Sequence, residues 1–213
     1  MAQCIPLDPE LWKVEHYRQF LDARRQLLAD TVNSFLQGVS AEGASTTVDA
    51  TALISSGEGE SVEFKETARV NIRTGQVDKE MEKVVVKTVA AFFNAHGGTL
   101  IVGVNDAGIA VGLDRDFATL GSRPDQDGYE QYLRNLMNRM IGKDRCVYLN
   151  ITFPEVNGTR VCVVHVPKAD RPVYVSDGNA QSFYVRSGNT TQSFSMQDAI
   201  TYSQSRFSKS ILA

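Results

Sequence analysis

The hydrophobic and polar positions of the chain follow several different periods, and each period predicts a particular element. Residues 62–65 alternate between apolar and charged side chains, which is typical of a strand with one buried face. Residues 78–95 carry apolar side chains at every third or fourth position, which predicts a core-facing helix with Asp78 as N-cap and Gly97 just past its end. Residues 99–104 are almost continuously apolar, as in a strand covered on both faces.

Further helices and strands are predicted in the second half of the chain. Helical spacing of apolar residues continues over 129–141, whereas 147–153 and 160–166 have the pattern of two strands joined by an Asn-Gly turn. The last expected elements are strands around 173–175 and 183–186 and a helix that Ser195 caps and that ends near Phe207. The order of elements predicts an α/β fold of the α+β kind, with helices packed on a mixed β-sheet.

Two segments precede this domain, which we place at residues 58–213. Residues 1–37 form a predicted N-terminal helical segment, because 9–37 carries an apolar stripe that repeats at Val14, Leu21, Leu28 and Phe35. The stripe must be covered, either by the chain's own body or by a partner, and the second interpretation predicts a homodimer or larger assembly through this long helix. Residues 38–57 are rich in Gly, Ser, Ala and Thr, which predicts a flexible linker.

Composition narrows the classes of function. The net charge of −3 and the pI near 5.7 argue against a protein that coats nucleic acid indiscriminately, so any nucleic-acid surface must be a local patch. Cys4, Cys146 and Cys162 are scattered without paired spacing, and neither a disulfide framework nor a zinc site is indicated. The sequence contains no apolar run of membrane-spanning length and no signal peptide, so we expect a cytoplasmic protein without a membrane partner. ATP is not expected either, because the P-loop pattern is absent.

Acidic side chains around the first predicted strand are the candidates for chemistry. In a strand Glu63 and Lys65 share one face, Glu58 lies five residues earlier, and Asp106 follows the next strand. Three converging carboxylates would hold a hard divalent cation, and the lysine beside them would meet a phosphate. The alternative is a solvated strand face with one charge pair, and Asp106 as only a turn residue in Asn105-Asp106-Ala-Gly108.

The ordered series of these motifs resembles a known family. The string Glu-x4-Glu-Phe-Lys, a helix ending in Ala-Phe-Phe-Asn-Ala-His-Gly-Gly, and Thr-Leu-Ile-Val-Gly-Val-Asn-Asp-x-Gly resemble the Schlafen-type AlbA domain, also described as a divergent AAA-like module. The resemblance continues in residues 171–174 and 182–188 and covers about residues 55–207. It implies a nucleic-acid-binding lobe, and some members of the family are metal-dependent endoribonucleases acting on structured RNA such as tRNA through three acidic residues.

The resemblance also implies site residues. The family's acids fall on Glu58 and Glu63 by their spacing and on Asp106 near the third position, which implies Mg²⁺ or Mn²⁺ as cofactor. Lys65 and Arg186 would then stabilise charge on the phosphate during hydrolysis. RNA is favoured over DNA as the partner.

Other basic and aromatic residues are candidates for contacts with nucleic acid. Arg134 and Arg139 lie in a basic segment, Arg171 and Arg186 are placed to clamp a phosphate, and Tyr184 to stack on a base. Strand packing and surface ion pairs are the alternative roles. The row Lys79, Lys83 and Lys87 also has the spacing to face phosphates, but Glu80 and Glu82 lie among its residues and favour a solvated helix face.

Two functions therefore remain open from the sequence. One is a metal-dependent endoribonuclease; the other is a non-catalytic DNA- or RNA-binding regulatory or assembly module. The full Schlafen core joins two lobes in one chain, and this sequence carries a single copy, which a homodimer would pair. The Cys/His zinc cluster of larger relatives is missing.

Overall fold

A mixed sheet of four strands lies at the centre of the computed structural model, which describes residue 25 and residues 49–207. The helices are α1 (Ala50–Ser56), α2 (Lys79–Asn94), α3 (Asp114–Phe117), α4 (Gln126–Met140), α5 (Lys143–Cys146) and α6 (Met196–Phe207). The strands are β1 (Val62–Lys65), β2 (Val70–Asn71), β3 (Gln76–Val77), β4 (Gly98–Val102), β5 (Asn150–Thr152), β6 (Glu155–Val156), β7 (Thr159–Arg160), β8 (Cys162–Val166), β9 (Tyr174–Asp177), β10 (Ala180–Ser187) and β11 (Thr190–Phe194).

The central sheet has the order β1-β4-β8-β5. β1 runs parallel to β4, with Glu63 opposite Leu100, whereas β8 is antiparallel to both β4 and β5. Leu100, Ile101 and Val102 are completely buried, because both faces of β4 are covered as its apolar run predicts. The predicted mixed α/β fold with packed helices is confirmed.

Helices cover one face of the sheet, and a smaller apolar cluster covers the other. Leu100 and Val102 belong to the cluster that includes the buried faces of α2 and α4. Ile101 and Phe64 belong to a second cluster with Ala50 of α1, Val156 of β6 and residues that follow β7. Alternation along β1 and β4 therefore divides the core between the two faces, which fixes the register of both strands.

The second sheet, in the order β11-β10-β9, is joined to α2 through Asn94. The Asn94 amide donates hydrogen bonds to the carbonyls of Val173 (2.7 Å) and Tyr184 (2.9 Å) and accepts one from the Val173 N–H (2.8 Å). The hydroxyl of Tyr202, on α6, donates to the Asn94 carbonyl at 2.8 Å. One buried residue thus connects the end of α2 to the second sheet through its side-chain amide and to α6 through its main-chain carbonyl.

The Gly-Gly pair after α2 is required by close packing. Gly97 has φ +83°, and a Cβ there would lie 2.8 Å from the carbonyl oxygen of Val166. A Cβ on Gly98 would overlap the ring of Phe92. The helix end therefore contacts β8 and its own core residue at distances that only glycine permits.

Both predicted capping residues are confirmed. The Asp78 carboxylate accepts from the Glu80 N–H at 2.9 Å at the start of α2. At α6 the Ser195 hydroxyl accepts from the Asp198 N–H at 3.2 Å, and the Asp198 carboxylate accepts from the Ser195 hydroxyl at 2.6 Å.

Part of the predicted linker is helical. The Asp49 side chain caps α1 by accepting from the N–H groups of Thr51 and Ala52, and Ala50, Leu53 and Ile54 pack into the second core cluster. Three apolar contacts and a cap are enough to fix this short helix. The rest of the predicted linker 38–57, and the predicted helix 9–37 except for residue 25, lie outside the described residues, so the proposed division into domains stays a prediction.

The strand predicted over 147–153 is shorter in the structure. Val147 and Tyr148 follow α5 with 72% and 63% of their surface exposed, and pairing with β8 begins only at Asn150. Apolar spacing alone did not reveal that a helical turn precedes this strand. None of the helices within residues 49–207 is both long enough and apolar enough to cross a membrane.

We predict that Asn94→Ala lowers the free energy of unfolding by about 3 kcal/mol, because it leaves buried backbone groups without partners. Chemical denaturation monitored by circular dichroism measures this loss. Asn135→Ala, at an exposed helical position of α4, is the matched control and should change stability by less than about 0.5 kcal/mol. Equal effects of the two variants would contradict the connecting role of Asn94.

Candidate functional site

The Glu63 carboxylate lies between two cations. β1 buries Val62 and Phe64 and leaves Glu63 and Lys65 on the other side, as the alternation predicts. One oxygen of Glu63 lies 2.6 Å from the Lys65 ammonium, and the other lies 2.7 Å from Nη2 of Arg186 on β10. Both oxygens are thereby used in ion pairs inside the protein.

The Arg186 side chain is completely buried. Its Nη2 also donates to the carbonyls of Gly59 (2.6 Å) and Val62 (3.3 Å), and its Cζ lies 5.3 Å from the centroid of the Phe92 ring. The predicted phosphate clamp by Arg186 does not fit this position, because the guanidinium is enclosed between β10, β1 and α2. Its contacts instead tie the second sheet to the loop before β1.

Glu58 and Asp106 have separate environments. The Glu58 carboxylate accepts from the Phe64 N–H at 2.8 Å and so closes the loop that leads into β1. Asp106 is exposed in a turn in which the Asn105 side chain accepts from the N–H groups of Ala107 (3.1 Å) and Ile109 (2.9 Å). The turn predicted at Asn105-Asp106 is confirmed, and Asp106 lies at its tip.

The three carboxylates predicted to hold Mg²⁺ or Mn²⁺ are not assembled into one group. Among residues 25 and 49–207, no three His, Cys, Asp or Glu side chains are placed to share a metal ion. A divalent cation beside Glu63 would meet the positive charges of Lys65 and Arg186, which already neutralise that carboxylate. The arrangement of Glu58, Glu63 and Asp106 therefore does not fit the metal that the resemblance implies. Lys65 and Asp106 do line one pocket of about 320 Å³.

The other predicted nucleic-acid-binding residues are spread over the surface. Arg134 pairs with Glu130 at 2.7 Å, and Arg171 pairs with Asp144 at 2.8 Å. The Tyr184 ring packs against the core, with the Lys87 ammonium 5.7 Å from its centroid. Arg139 differs from the first two arginines, because 70% of its side chain is exposed and its nearest carboxylate oxygen lies 3.9 Å away.

Arg139 lines a cleft of about 740 Å³ between α2, α4 and the turn after β9, which we name the α2–α4 cleft. Its charged lining residues are Arg69, Lys79, Glu82, Lys83, Arg139 and Asp177. Tyr132, Asn135 and Ser176 contribute polar groups. The cleft therefore has more positive than negative side chains, in a chain whose net charge is −3.

The floor of the cleft is a fixed guanidinium. Arg69 stacks on Tyr132, with 4.5 Å between its Cζ and the ring centroid, and donates to the Thr119 carbonyl at 3.4 Å. The Glu82 carboxylate lies 3.8 Å from Arg69 Nε and 3.9 Å from Arg139 Nη2, beyond hydrogen-bond distance. Burial, and then the nearby Glu82 charge, raise the pKa of Tyr132, so its hydroxyl stays neutral.

A buried carboxylate holds the backbone next to Arg69. Asp116 accepts from the Ala68 N–H at 2.7 Å and from the Tyr129 hydroxyl at 2.8 Å. Burial raises the pKa of Asp116, against the opposing effect of these hydrogen bonds. The loop that carries Arg69 is thus anchored to α3 and α4.

Lys83 lies at the rim of the cleft between two exposed carboxylates. Its ammonium is 2.8 Å from Asp177 and 3.0 Å from Glu80. The hydrogen bond from Lys83 lowers the pKa of Asp177. Sequence reasoning favoured a solvated helix face over phosphate contact for the row Lys79, Lys83 and Lys87, and it missed Arg69. The four-residue spacing of the lysine row was the available signal.

Comparisons with known proteins agree with the motif series. A model of the family described as Schlafen, AlbA_2 matches residues 58–195, more than half of the 213-residue chain. No curated protein matches the chain.

Solved structures similar to this chain include two from bacteria. The DIP2311 protein from Corynebacterium diphtheriae is 22% identical, with a TM-score of 0.48, over 69% of this chain and 27% of its own length. The N-terminal domain of a RecG-related protein from Nitrosomonas europaea is 26% identical, with a TM-score of 0.43, over 64% of this chain and 86% of that domain. The chain thus spans little more than a quarter of the Corynebacterium protein.

We predict that Glu63→Gln lowers the free energy of unfolding by about 3 kcal/mol, because it leaves the Arg186 guanidinium buried without a carboxylate. The double variant Glu63→Gln/Arg186→Met should lose less than the two single variants added together, by more than about 1 kcal/mol. Denaturant titration of all three proteins measures the coupling.

The control for this cycle is Glu155→Gln, which removes the carboxylate of an exposed ion pair with Arg160. We expect it to cost less than about 1 kcal/mol. If Glu63→Gln were no more destabilising than this control, the buried pair would not hold the two sheets together.

Proposed function

Because the chain belongs to the Schlafen, AlbA_2 family, we propose that it binds nucleic acid at the α2–α4 cleft, with RNA favoured over DNA. The single observation that carries the proposal is the cluster of four cations, Arg69, Lys79, Lys83 and Arg139, around one cavity. In an acidic protein such a cluster is a local positive patch, and a polyanion is drawn to it by charge and by the release of counterions.

The cleft is a better phosphate-binding surface than the other predicted arginines. Arg134 and Arg171 are held by carboxylates at 2.7 and 2.8 Å, so a phosphate would have to displace those partners. Arg139 makes no such short contact and is largely exposed. Its guanidinium is free to turn towards a ligand while Arg69 keeps a fixed charge beneath it.

Polar groups in the cleft support the preference for RNA. The amide of Asn135 and the hydroxyl of Ser176 line the same cavity as the cations. Each group donates and accepts hydrogen bonds, which are the interactions that recognise a ribose 2′-hydroxyl. DNA offers the phosphates but not this hydroxyl.

The proposal contains no cleavage step. Metal-dependent hydrolysis by Glu58, Glu63 and Asp106 would require carboxylates that are not neutralised, whereas Glu63 is paired with Lys65 and Arg186. Binding without hydrolysis is therefore the function that the geometry favours. The predicted homodimer stays a prediction, since the helix on which it rests lies outside the described residues.

We predict that the double variant Lys83→Glu/Arg139→Glu weakens binding of a fluorescein-labelled single-stranded RNA by about tenfold or more. The fitted dependence of log Kd on log salt should also become less steep, because fewer phosphates are neutralised. Fluorescence anisotropy at several salt concentrations gives both quantities, and DNA of the same sequence measures the preference for RNA.

Arg160→Glu is the control for this experiment: it reverses one charge at an exposed site on β7, half the change in charge of the cleft variant. We expect its Kd to stay within about twofold of the unsubstituted protein after allowance for the change in net charge. An equal loss of affinity in the control and the cleft variant would show that RNA binds at a surface other than the cleft.

The nuclease alternative has its own test. We expect end-labelled RNA incubated with the protein to remain intact on denaturing gels, with Mn²⁺ or with a chelator. Cleavage that requires Mn²⁺ and is lost in Asp106→Asn, an exposed position where substitution leaves the core unchanged, would restore the catalytic interpretation.

A further inference from the structure

We infer that the α2–α4 cleft binds a terminal phosphate, that is a phosphomonoester, in preference to an internal phosphodiester. The inference deepens the function proposed above and rests on it for the RNA strand, but a free nucleotide carries the same chemical group. The argument depends on the charge of the cleft, the position of its guanidiniums and its size.

The charge of the lining matches a dianion. Four basic and two acidic side chains line the cavity, an excess of two positive charges, although one of the four cations, Lys83, is also paired with Glu80 outside the lining. A phosphomonoester carries a charge of about −1.5 to −2 at pH 7, whereas each internal phosphodiester carries about −1. A terminal phosphate therefore gains more from this cleft than a phosphate within a strand.

The two guanidiniums lie near one shared carboxylate. Glu82 is 3.8 Å from Arg69 and 3.9 Å from Arg139, so it balances part of their charge without accepting a hydrogen bond from either of the two nearest nitrogens. Arg69 Nε forms no hydrogen bond within the part of the chain that the structure describes. The planar fork of a guanidinium suits phosphate oxygens, and these two groups approach one site from the floor and the rim.

Arg69 is pre-organised for this role. Only 16% of its side chain is exposed, and the Tyr132 ring and the Thr119 carbonyl fix its orientation. Asp116 holds the neighbouring Ala68 N–H, so the backbone does not have to be ordered when a ligand binds. A fixed donor loses little entropy on binding, which favours a compact and highly charged ligand.

The size of the cleft fits one nucleotide. A volume of about 740 Å³ lies within the range of sites that enclose a small molecule. Lys79 and Lys83 line the same cavity at its rim, where the second phosphate of an RNA strand would lie when the terminal phosphate is bound inside. The end of an RNA strand therefore enters the cleft with its terminal phosphate towards Arg69.

The experiment compares three RNA oligonucleotides of one sequence, with a 5′-phosphate, a 3′-phosphate or hydroxyls at both ends. We expect one of the phosphorylated strands to bind about tenfold more tightly than the hydroxyl-ended strand. Arg69→Gln and, independently, Arg139→Gln should remove most of this difference while the hydroxyl-ended strand still binds. Arg134→Gln is the matched control: it neutralises an arginine of α4 that does not line the cleft and is already paired with Glu130, and it should keep the difference.

A second arm uses adenosine 5′-monophosphate, adenosine 3′-monophosphate and adenosine, followed by NMR chemical shifts at constant ionic strength. If all three RNAs bind equally and neither monophosphate exceeds adenosine, the preference for a terminal phosphate is overturned while nucleic-acid binding stands. If a monophosphate binds through Arg69 but no RNA binds, the terminal-phosphate site stands and the proposed function fails. If neither RNA nor monophosphate binds, both are wrong.

Discussion

A buried positive charge is the constraint on which the arrangement of this domain depends. Arg186 has no access to water, so its guanidinium needs a carboxylate and carbonyl oxygens inside the protein. Glu63 and the carbonyls of Gly59 and Val62 supply them, and all three belong to β1 or to the loop before it. This requirement joins the central sheet to the second sheet beside Phe92 of α2, and the neutral Asn94, two residues further on, joins the end of α2 to the second sheet.

Because of this constraint, the charged residues that hold the two sheets together are different from those that we propose to bind a ligand. Glu58 and Glu63 look reactive in the sequence. In the structure Glu58 accepts a hydrogen bond from a backbone N–H, and Glu63 is paired with two cations. Four other cations line the cleft between α2 and α4. Arg69 is fixed there by aromatic stacking, whereas Arg139 is largely exposed and makes no short ion pair. A rigid floor with an adaptable rim is an arrangement suited to recognising one anionic group.

The sequence predicts local structure well, but it predicts the contacts and burial of charged side chains less well. Alternation at residues 62–65, helical spacing after Asp78 and the Ser195 cap each depend on neighbours in the chain, and the structure confirms them. Whether a strand face is solvated depends on what covers it, and Arg186 lies more than a hundred residues from Glu63. No local pattern distinguishes an arginine that clamps a phosphate from one that is enclosed beneath a second sheet. The contacts of the lysine row on α2 were not predictable for the same reason. The carboxylate nearest to Lys83 belongs to Asp177, which is remote in sequence.

The glycine pair after α2 has a consequence for how this domain can diverge. Gly97 and Gly98 face a backbone carbonyl and a core ring, neither of which can move aside as a flexible side chain would. Alanine at position 97 would push the chain away from β8, and alanine at position 98 would displace the Phe92 ring, so substitutions at either glycine should be poorly tolerated. Hairpin tips such as Asn157-Gly158 and Asp177-Gly178 have open space around them. Insertions that adapt relatives to new ligands should therefore accumulate at those tips, one of which borders the α2–α4 cleft.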